Sequence, residues 1–397
     1  MAKQFDAVQA STKAVWAGEE AYLVHGATQV PVMVSVAYGY DDMDEWYDVA
    51  TEKKKGHIYG RNTNPTVQAF EDKVKILEGA EAATSFSTGM AAISNTLYTF
   101  LKPGDRVVSI KDTYGGTNKI FTEFLPRMGI DVALCETGDH EGIESALKEP
   151  CKILYLETPT NPTVKITDIR RMAEAGHTAG ALVVVDNTFA TPINQNPLQL
   201  GADLVLHSAT KFLGGHADAL GGVVCGSSEL VKRIYHYREI NGATMDPWAA
   251  YLLLRGMKTL KLRVRQQEIN AMAIAKYLQT REEVEDVYYP GLPTHKHHDI
   301  ARQQMKGFGG MLSFSLKGGM DAVKIMLPKL QYANRAANLG AVETTYGPAR
   351  TTSHVECTAE ERQAMGIPDG LVRISCGIED TEDLIADLEQ AFAFLSA

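Results

Sequence analysis

Between residues 107 and 225 short apolar runs recur along the chain: Val107–Ile110, Val132–Cys135, Ile153–Leu156, Leu182–Val185, Leu204–Leu206 and Gly222–Cys225. Most are separated by polar segments long enough to form a helix. Consecutive apolar residues suit a strand buried on both faces, and such strands belong to parallel sheets covered by helices on either side. The alternation therefore predicts an α/β fold built on a mostly parallel sheet flanked by helices. Open sheets of this kind collect their chemistry at the carboxyl ends of the strands.

Two of the runs end in chemically informative loops. Leu182–Val185 closes on Asp186-Asn187-Thr188, and Leu204–Leu206 on His207-Ser-Ala-Thr-Lys211-Phe-Leu-Gly-Gly-His216. A lysine beside two hydroxyls and a glycine pair suits an amine that holds an aldehyde cofactor as a Schiff base while Ser208 and Thr210 grip its phosphate; a lone lysine, by contrast, is far more often a solvated loop residue. The acid lies 211 − 186 = 25 residues earlier, and a strand-end acid is the partner that a pyridinium nitrogen needs. Tyr114-Gly-Gly-Thr117 and Glu157-Thr-Pro-Thr-Asn161-Pro162 follow other strands and fall on the same edge.

Further residues stay open between two readings. Ser85-Phe-Ser-Thr-Gly89-Met90 precedes a helical pattern (Met90, Ile93, Leu97, Leu101), either as an ordinary capped helix or as a helix start offering free N–H groups to an anion. Tyr59-Gly60-Arg61 carries donors for a phosphate or is a surface loop. Arg373, in the middle of an alternating run, either pairs with an acid or receives a substrate carboxylate. His295, His297, His298 and Asp299 crowd one loop without the helical spacing of metal ligands, so no metal site is expected.

Residues 1–60 show no sustained period and read as an arm that contacts a neighbouring subunit. Asn64-Pro65 caps a helix that stops at Gly79, and Asp246-Pro247 caps a long helical connector reaching about Gln279. Beyond it, Met311–Leu316 and Leu371–Cys376 alternate like half-exposed antiparallel strands, and Leu384, Leu388 and Phe392 mark a closing amphipathic helix. The organisation expected is an arm at 1–60, a cofactor domain at 61–250 and a smaller C-terminal α/β domain at 251–397. A chain of 397 residues with 45% apolar content can bury cores for both. A net charge of −10 and the absence of a long apolar run argue against nucleic acid and membrane as partners. The first residues lack the apolar core of a signal peptide, so a cytoplasmic location is expected. Cys135, Cys151, Cys225, Cys357 and Cys376 lack paired spacing, and buried free thiols are expected of Cys135, Cys151 and Cys225.

Tyr59-Gly-Arg61, Asn64-Pro65, Ser87-Thr-Gly-Met90, Tyr114-Gly-Gly-Thr117, Glu157 to Pro162, Val185 to Thr188, His207 to Lys211, Tyr289-Pro-Gly-Leu-Pro293 and Gly377-Ile-Glu-Asp380 occur in one order. In this the chain resembles, over essentially its whole length, the Cys/Met-metabolism family of pyridoxal-phosphate (PLP) enzymes. That family contains cystathionine γ-synthase, cystathionine γ-lyase, methionine γ-lyase and O-acetylhomoserine sulfhydrylase. The resemblance implies a fold-type-I PLP enzyme in which Lys211 holds the cofactor and shuttles protons, Asp186 pairs with the ring nitrogen and Tyr114 stacks on the ring and serves as a candidate acid. It further implies that Asn161 binds the ring's phenolic oxygen, and that Gly89, Met90, Ser208 and Thr210 hold the phosphate, with Tyr59 and Arg61 of a neighbouring subunit in a homotetramer. Arg373, with Asn161 and Thr344 beside it, would bind the substrate carboxylate. The implied reaction is γ-elimination on an L-amino acid with a γ-heteroatom leaving group (methionine, homocysteine or O-substituted homoserine type), giving a 2-oxo acid and ammonia. The alternatives are γ-replacement, as in an O-acylhomoserine sulfhydrylase or cystathionine γ-synthase, and cystathionine lyase activity.

The chain departs from the family's pattern at the substrate end. Gly116 stands where methionine γ-lyases usually have cysteine, Ala337 where cystathionine enzymes often have a glutamate, and Thr344 where a serine is usual. Gly347-Pro348-Ala349 replaces His-Pro-Ala, and Arg350 follows in place of a small residue.

Overall fold

The computed structural model describes residues 4, 5, 7–352, 355 and 358–395, so Cys357 and the first three residues lie outside the described residues. Its larger sheet has seven strands, β1 (Ala82–Phe86), β2 (Arg106–Ile110), β3 (Asp131–Cys135), β4 (Ile153–Glu157), β5 (Leu182–Asp186), β6 (Leu204–Ser208) and β7 (Gly222–Gly226), in the order β1-β7-β6-β5-β4-β2-β3. The core from β3 to β6 is parallel, while β7 runs antiparallel to both β6 and β1. The expected apolar runs are strands β2 to β7. Strand β1 is an addition: Ala-Ala-Thr-Ser-Phe carries little apolar signal, yet it pairs antiparallel along the whole of β7.

Alternate residues of the strands face two helical layers. Val223 and Cys225 pack with Phe70 and Val74 of the helix Pro65–Glu78, whereas Leu204, Leu206 and Val224 pack with Ile93 and Leu97 of the helix Gly89–Phe100. Both helices start as their sequences dictate. The Asn64 side chain accepts from Thr66 N and Val67 N, and Thr88 Oγ1 accepts from Ala91 N. The first ends at Gly79, whose φ of +72° suits glycine.

The connector after Asp246 is two helices, Pro247–Met257 and Leu260–Leu278, instead of the continuous one expected. Close packing explains the break. A Cβ on Gly256 would meet Gly214 O at 2.1 Å, and buried Arg263 donates across the joint to the carbonyls of Phe212, Leu213 and Gly256. This ties the joint to the loop that carries Lys211.

The smaller sheet contains β8 (Val284–Tyr288), β9 (Met311–Leu316), β10 (Asn334–Arg335), β11 (Thr345–Pro348) and β12 (Leu371–Ser375) in the order β10-β11-β12-β9-β8, antiparallel except for β10 with β11. The closing helix Thr381–Phe392 buries Leu384, Leu388 and Phe392 against it. Strands β9 and β12, expected to be half exposed, are buried along their whole length. Their polar face meets protein instead of water: Ser313 Oγ donates to Pro162 O and Arg373 reaches Asn161 in the larger sheet's loops, while Ser375 Oγ accepts from Gly340 N in the segment between β10 and β11.

The arm divides in two. The helix Ala10–Trp16 packs on its own chain, where buried Lys73 donates to Ala14 O at 2.6 Å and to Glu19 Oε1 at 2.7 Å. The following stretch leaves Val34, Val36, Met43, Trp46 and Tyr47 exposed. Cys151, Cys225 and Cys376 are buried free thiols and Cys135 is half-buried. Among the described residues no helix is long and apolar enough to cross a membrane, and no cluster of three metal-binding side chains forms.

Candidate active site

At the carboxyl edge of the parallel strands the loops enclose a cavity of about 230 Å³. From β4 and β5 come Glu157 and Asp186, which sit opposite each other in register. Tyr114 enters from the loop after β2, half exposed, with its backbone N–H donating to Glu157 Oε2 at 2.8 Å. Ser208 and Lys211 come from the end of β6 and its loop, and Arg373 from β12 of the smaller sheet.

The hydrogen bonds define distinct environments for these groups. Asp186 Oδ1 accepts from Thr188 N (2.9 Å) and Thr188 Oγ1 (2.6 Å), and the same Thr188 oxygen accepts from Ser208 N, locking the ends of β5 and β6 together. Burial pushes the Asp186 carboxyl up while the Thr188 donors hold it down; Glu157 is driven much further up, by burial first and then by the charge of Asp186. Lys211 Nζ donates to Asn338 Oδ1 at 3.0 Å, and burial followed by the field of Arg373 lowers its pKa to about 8.

Arg373 is buried with its guanidinium donating to Asn161 Oδ1 and Asn338 O, each at 3.0 Å. Both acceptors are neutral, so of the two readings open for this residue the acid partner is absent among the described residues. Burial lowers its pKa to about 10, against a small opposing pull from Tyr114. A cation placed at a cavity wall on neutral acceptors retains its capacity for an anionic ligand.

At the opposite wall the helix Gly89–Phe100 points its N-terminus into the cavity. Thr88 caps Ala91 N, and the first-turn amides of Gly89 and Met90 have no partner within the helix. A Cβ on Gly89 would lie 2.7 Å from Ser208 Cβ, so only glycine lets the two segments close into one cradle. Thr210, on the same wall, exchanges hydrogen bonds with Gly221 O and N.

A model of the Cys/Met metabolism PLP-dependent enzymes matches residues 11–393. The chain belongs to that family. It is 42% identical over 382 residues to an L-methionine γ-lyase of Fusobacterium nucleatum subsp. polymorphum, covering 96% of each protein. It is 45% identical to a cystathionine γ-lyase of Bacillus subtilis, covering 87% of this chain and 92% of the other. The crystal structure of cystathionine γ-synthase from Xanthomonas oryzae pv. oryzae in complex with aminoacrylate and cysteine superimposes with a TM-score of 0.93 at 39% identity, over 98% of this chain and 99% of that one. The family is PLP-dependent and the fold is that of the fold-type-I PLP enzymes. The cavity fits that cofactor: a glycine cradle with helix-end amides for a phosphate, an amine at Lys211, an aromatic face at Tyr114, and a carboxylate at Asp186 for a ring nitrogen.

Among the residues expected at the site, the structure gathers Lys211, Tyr114, Asp186, Asn161, Gly89, Met90, Ser208, Thr210 and Arg373 around one cavity. Thr344 does not line it, and neither do Tyr59 and Arg61 of the same chain, which were expected to come from a neighbouring subunit. Tyr59 is exposed with Arg61 over its ring, and Arg61 donates to Glu239 O. The fully buried Thr344 spends its hydroxyl on Glu379 Oε2 at 2.8 Å and on Gly377 N. Arg350 also turns away, with its guanidinium 3.7 Å from Asp369. The histidine loop is structural: His297 Nδ1 accepts from Ile166 N, and His298 Nδ1 lies 2.8 Å from Pro290 O. Glu157, Thr188 and Asn338 were not assigned roles from sequence. For Glu157 the signal was available, since it ends one strand as Asp186 ends the next.

Proposed function

We propose that the protein catalyses γ-elimination on an L-amino acid with a γ-heteroatom leaving group, of the methionine, homocysteine or O-substituted homoserine type, giving a 2-oxo acid and ammonia. The observation that carries this reading is the convergence of Lys211, Asp186, Tyr114 and Arg373 on one cavity. Bound PLP supplies an electron sink for charge developing next to the substrate amine. The protein's residues do the rest. Lys211 Nζ would hold the cofactor and, once free, would take the Cα proton of the bound substrate. A pKa near 8 suits that transfer at neutral pH. Asp186 would supply negative charge for the ring nitrogen, Asn161 would hold the phenolic oxygen, and Arg373 would receive the substrate carboxylate. The Tyr114 hydroxyl, at the cavity mouth, is the candidate donor to the departing γ-substituent.

The substrate end favours neutral leaving groups. Ala337, Leu339 and Thr352 line the cavity without any charge, Glu343 is exposed and does not line it, and Arg350 is engaged with Asp369. Among the described residues of one chain the distal ammonium of cystathionine finds no anionic partner there, which leaves the Asp41 to Glu45 patch of a neighbouring copy's arm as the alternative acid; without a partner the loss is about 2–5 kcal/mol or tens- to thousands-fold in selectivity. Gly116 leaves its space to Met90, whose sulfur would be 2.8 Å from a Cβ there. Cystathionine is therefore expected to be turned over poorly beside homocysteine, methionine and O-acetylhomoserine. Comparing kcat/KM across that panel, with and without added thiol, tests the reading; cystathionine emerging as the best substrate would overturn it. A product that appears only with thiol would favour γ-replacement, a reading supported by the likeness to cystathionine γ-synthase.

Among the described residues of one chain, the wall formed by Gly89, Met90, Ser208 and Thr210 offers a phosphate amides and hydroxyls but no cation. We propose a cytoplasmic homotetramer in which Tyr59 and Arg61 of a neighbouring copy complete it, with 1–60 as the arm, 61–250 as the PLP-binding domain and 251–397 as the C-terminal domain. Arg61→Ala is expected to weaken cofactor retention by roughly 1.5–3 kcal/mol. Mixed with Lys211→Ala, it should regain activity through hybrid sites; verified subunit exchange without recovery would count against shared sites.

A further inference from the structure

We propose that Glu157 is a positioning residue of the cofactor site: it stands as the uncharged acid beside Asp186 and fixes Tyr114 at the cavity mouth through the Tyr114 backbone N–H. The inference rests on the PLP reading of the cavity but not on which γ-substituent is expelled. Its geometric basis is the register of β4 and β5, which puts Glu157 directly opposite Asp186 on neighbouring strands, 5% and 7% exposed. Two carboxylates side by side away from water do not both ionise, and one retains the proton.

Hydrogen bonding decides which. Asp186 accepts two donors from Thr188, one of them a hydroxyl at 2.6 Å, and its ionised form is favoured further by His207 and the Tyr155 hydroxyl, whereas Glu157 has only backbone donors, the Tyr114 N–H at 2.8 Å and the Asn161 N–H. Donors stabilise the ionised form, so the negative charge settles on Asp186 and the proton on Glu157. The other groups around Glu157 agree with this order. Asp112, from the loop after β2, adds to its rise, although Lys165 answers part of that charge from 2.6 Å. Tyr155, two residues back on β4, is a buried phenol held far above its usual range. Lys211 and Arg373 face the cavity from its other walls and carry the positive charge.

A neutral Glu157 has two effects. It leaves Asp186 as the one anion beneath the ring nitrogen, without a competing charge to share the pyridinium. It also anchors the start of the Tyr114-Gly115 turn, and so the ring and hydroxyl of Tyr114, to the rigid end of a central strand.

The test compares Glu157→Ala with Glu157→Gln in the PLP-loaded protein. Glutamine keeps the shape, the lack of charge and an oxygen acceptor for Tyr114 N–H; alanine keeps none of these. Glu157→Ala is expected to lose about 10²-fold in kcat, in the range of a displaced acid–base group, and to bind PLP more weakly. Glu157→Gln is expected to recover at least about tenfold of that kcat, and to keep the pH at which the visible absorbance of the bound cofactor changes. If Glu157→Gln is as impaired as Glu157→Ala, or its absorbance transition moves, a negative charge is required at this position and the proposal fails. It fails equally if Glu157→Ala matches the parent. Should Glu157→Ala not fold, as judged by its thermal transition, the absorbance of Glu157→Gln decides. A parent that shows the absorbance band but no γ-elimination would refute the proposed reaction and leave this comparison intact.

Discussion

Replacing Lys211 with alanine is expected to remove the visible absorbance of covalently held PLP and to lower turnover by at least about 10³-fold, since one side chain both anchors the cofactor and moves the Cα proton. The environment of Lys211 adds a pH signature. Burial and the charge of Arg373 lower its pKa from the usual lysine range to about 8, and the neutral amine is the form that attacks an aldehyde. The rate at which cofactor-free protein captures added PLP should thus rise with pH through a midpoint near 8. Removing the cation in Arg373→Ala should shift that midpoint upward. Stopped-flow absorbance across pH 6–10 measures both, and a parent midpoint near that of a solvated lysine would refute the electrostatic account. A Lys211→Ala variant with near-parent turnover would remove Lys211 from the mechanism altogether.

Arg373→Ala is the second large effect expected. Its guanidinium is buried on two neutral acceptors, Asn161 Oδ1 and Asn338 O. Among the described residues no acid pairs with it, so a substrate carboxylate would be its ionic partner, in a site where losing one side of a desolvated pair costs about 2–5 kcal/mol. The loss in kcat/KM should run from tens- to thousands-fold, carried mainly by KM, while the PLP absorbance band stays in place. Arg373→Lys should recover only part, because an ammonium cannot reproduce the bidentate fork. A loss confined to cofactor binding would show that Arg373 serves the cofactor and not the substrate.

Much of the architecture was readable before any coordinates. Strands β2 to β7 announce themselves because a strand covered on both faces must be apolar at successive positions. Asn64, Asp246 and Gly79 mark helix ends because a cap uses local chemistry. The strands that escaped lack those signals. β1 is built from small residues, β8 is an edge strand with exposed Glu285 and Asp286, and β10 is two residues long. In β9 and β12 the alternation of serine with apolar residues is real, but polarity there meets another layer of protein and not water. The ends of the central strands located Lys211, Asp186, Tyr114 and Asn161. Side-chain direction was not legible in the same way: Thr344 is drawn to Glu379 and Arg350 to Asp369, partners that only the tertiary fold supplies.

The segment that would select substrates is physically clipped to the segment that carries the lysine. Asn338 accepts from Lys211 Nζ, a Cβ on Gly340 would meet Phe212 N at 2.6 Å, and Val342 N donates to Gly215 O. Specificity and catalysis are therefore not separable modules in this protein. A graft of residues 337–352 from a relative with another substrate would import its own fit against residues 211–215, and a mismatch there would displace the amine as well as reshape the pocket. Exchanging both stretches together is the more conservative route to a new leaving group.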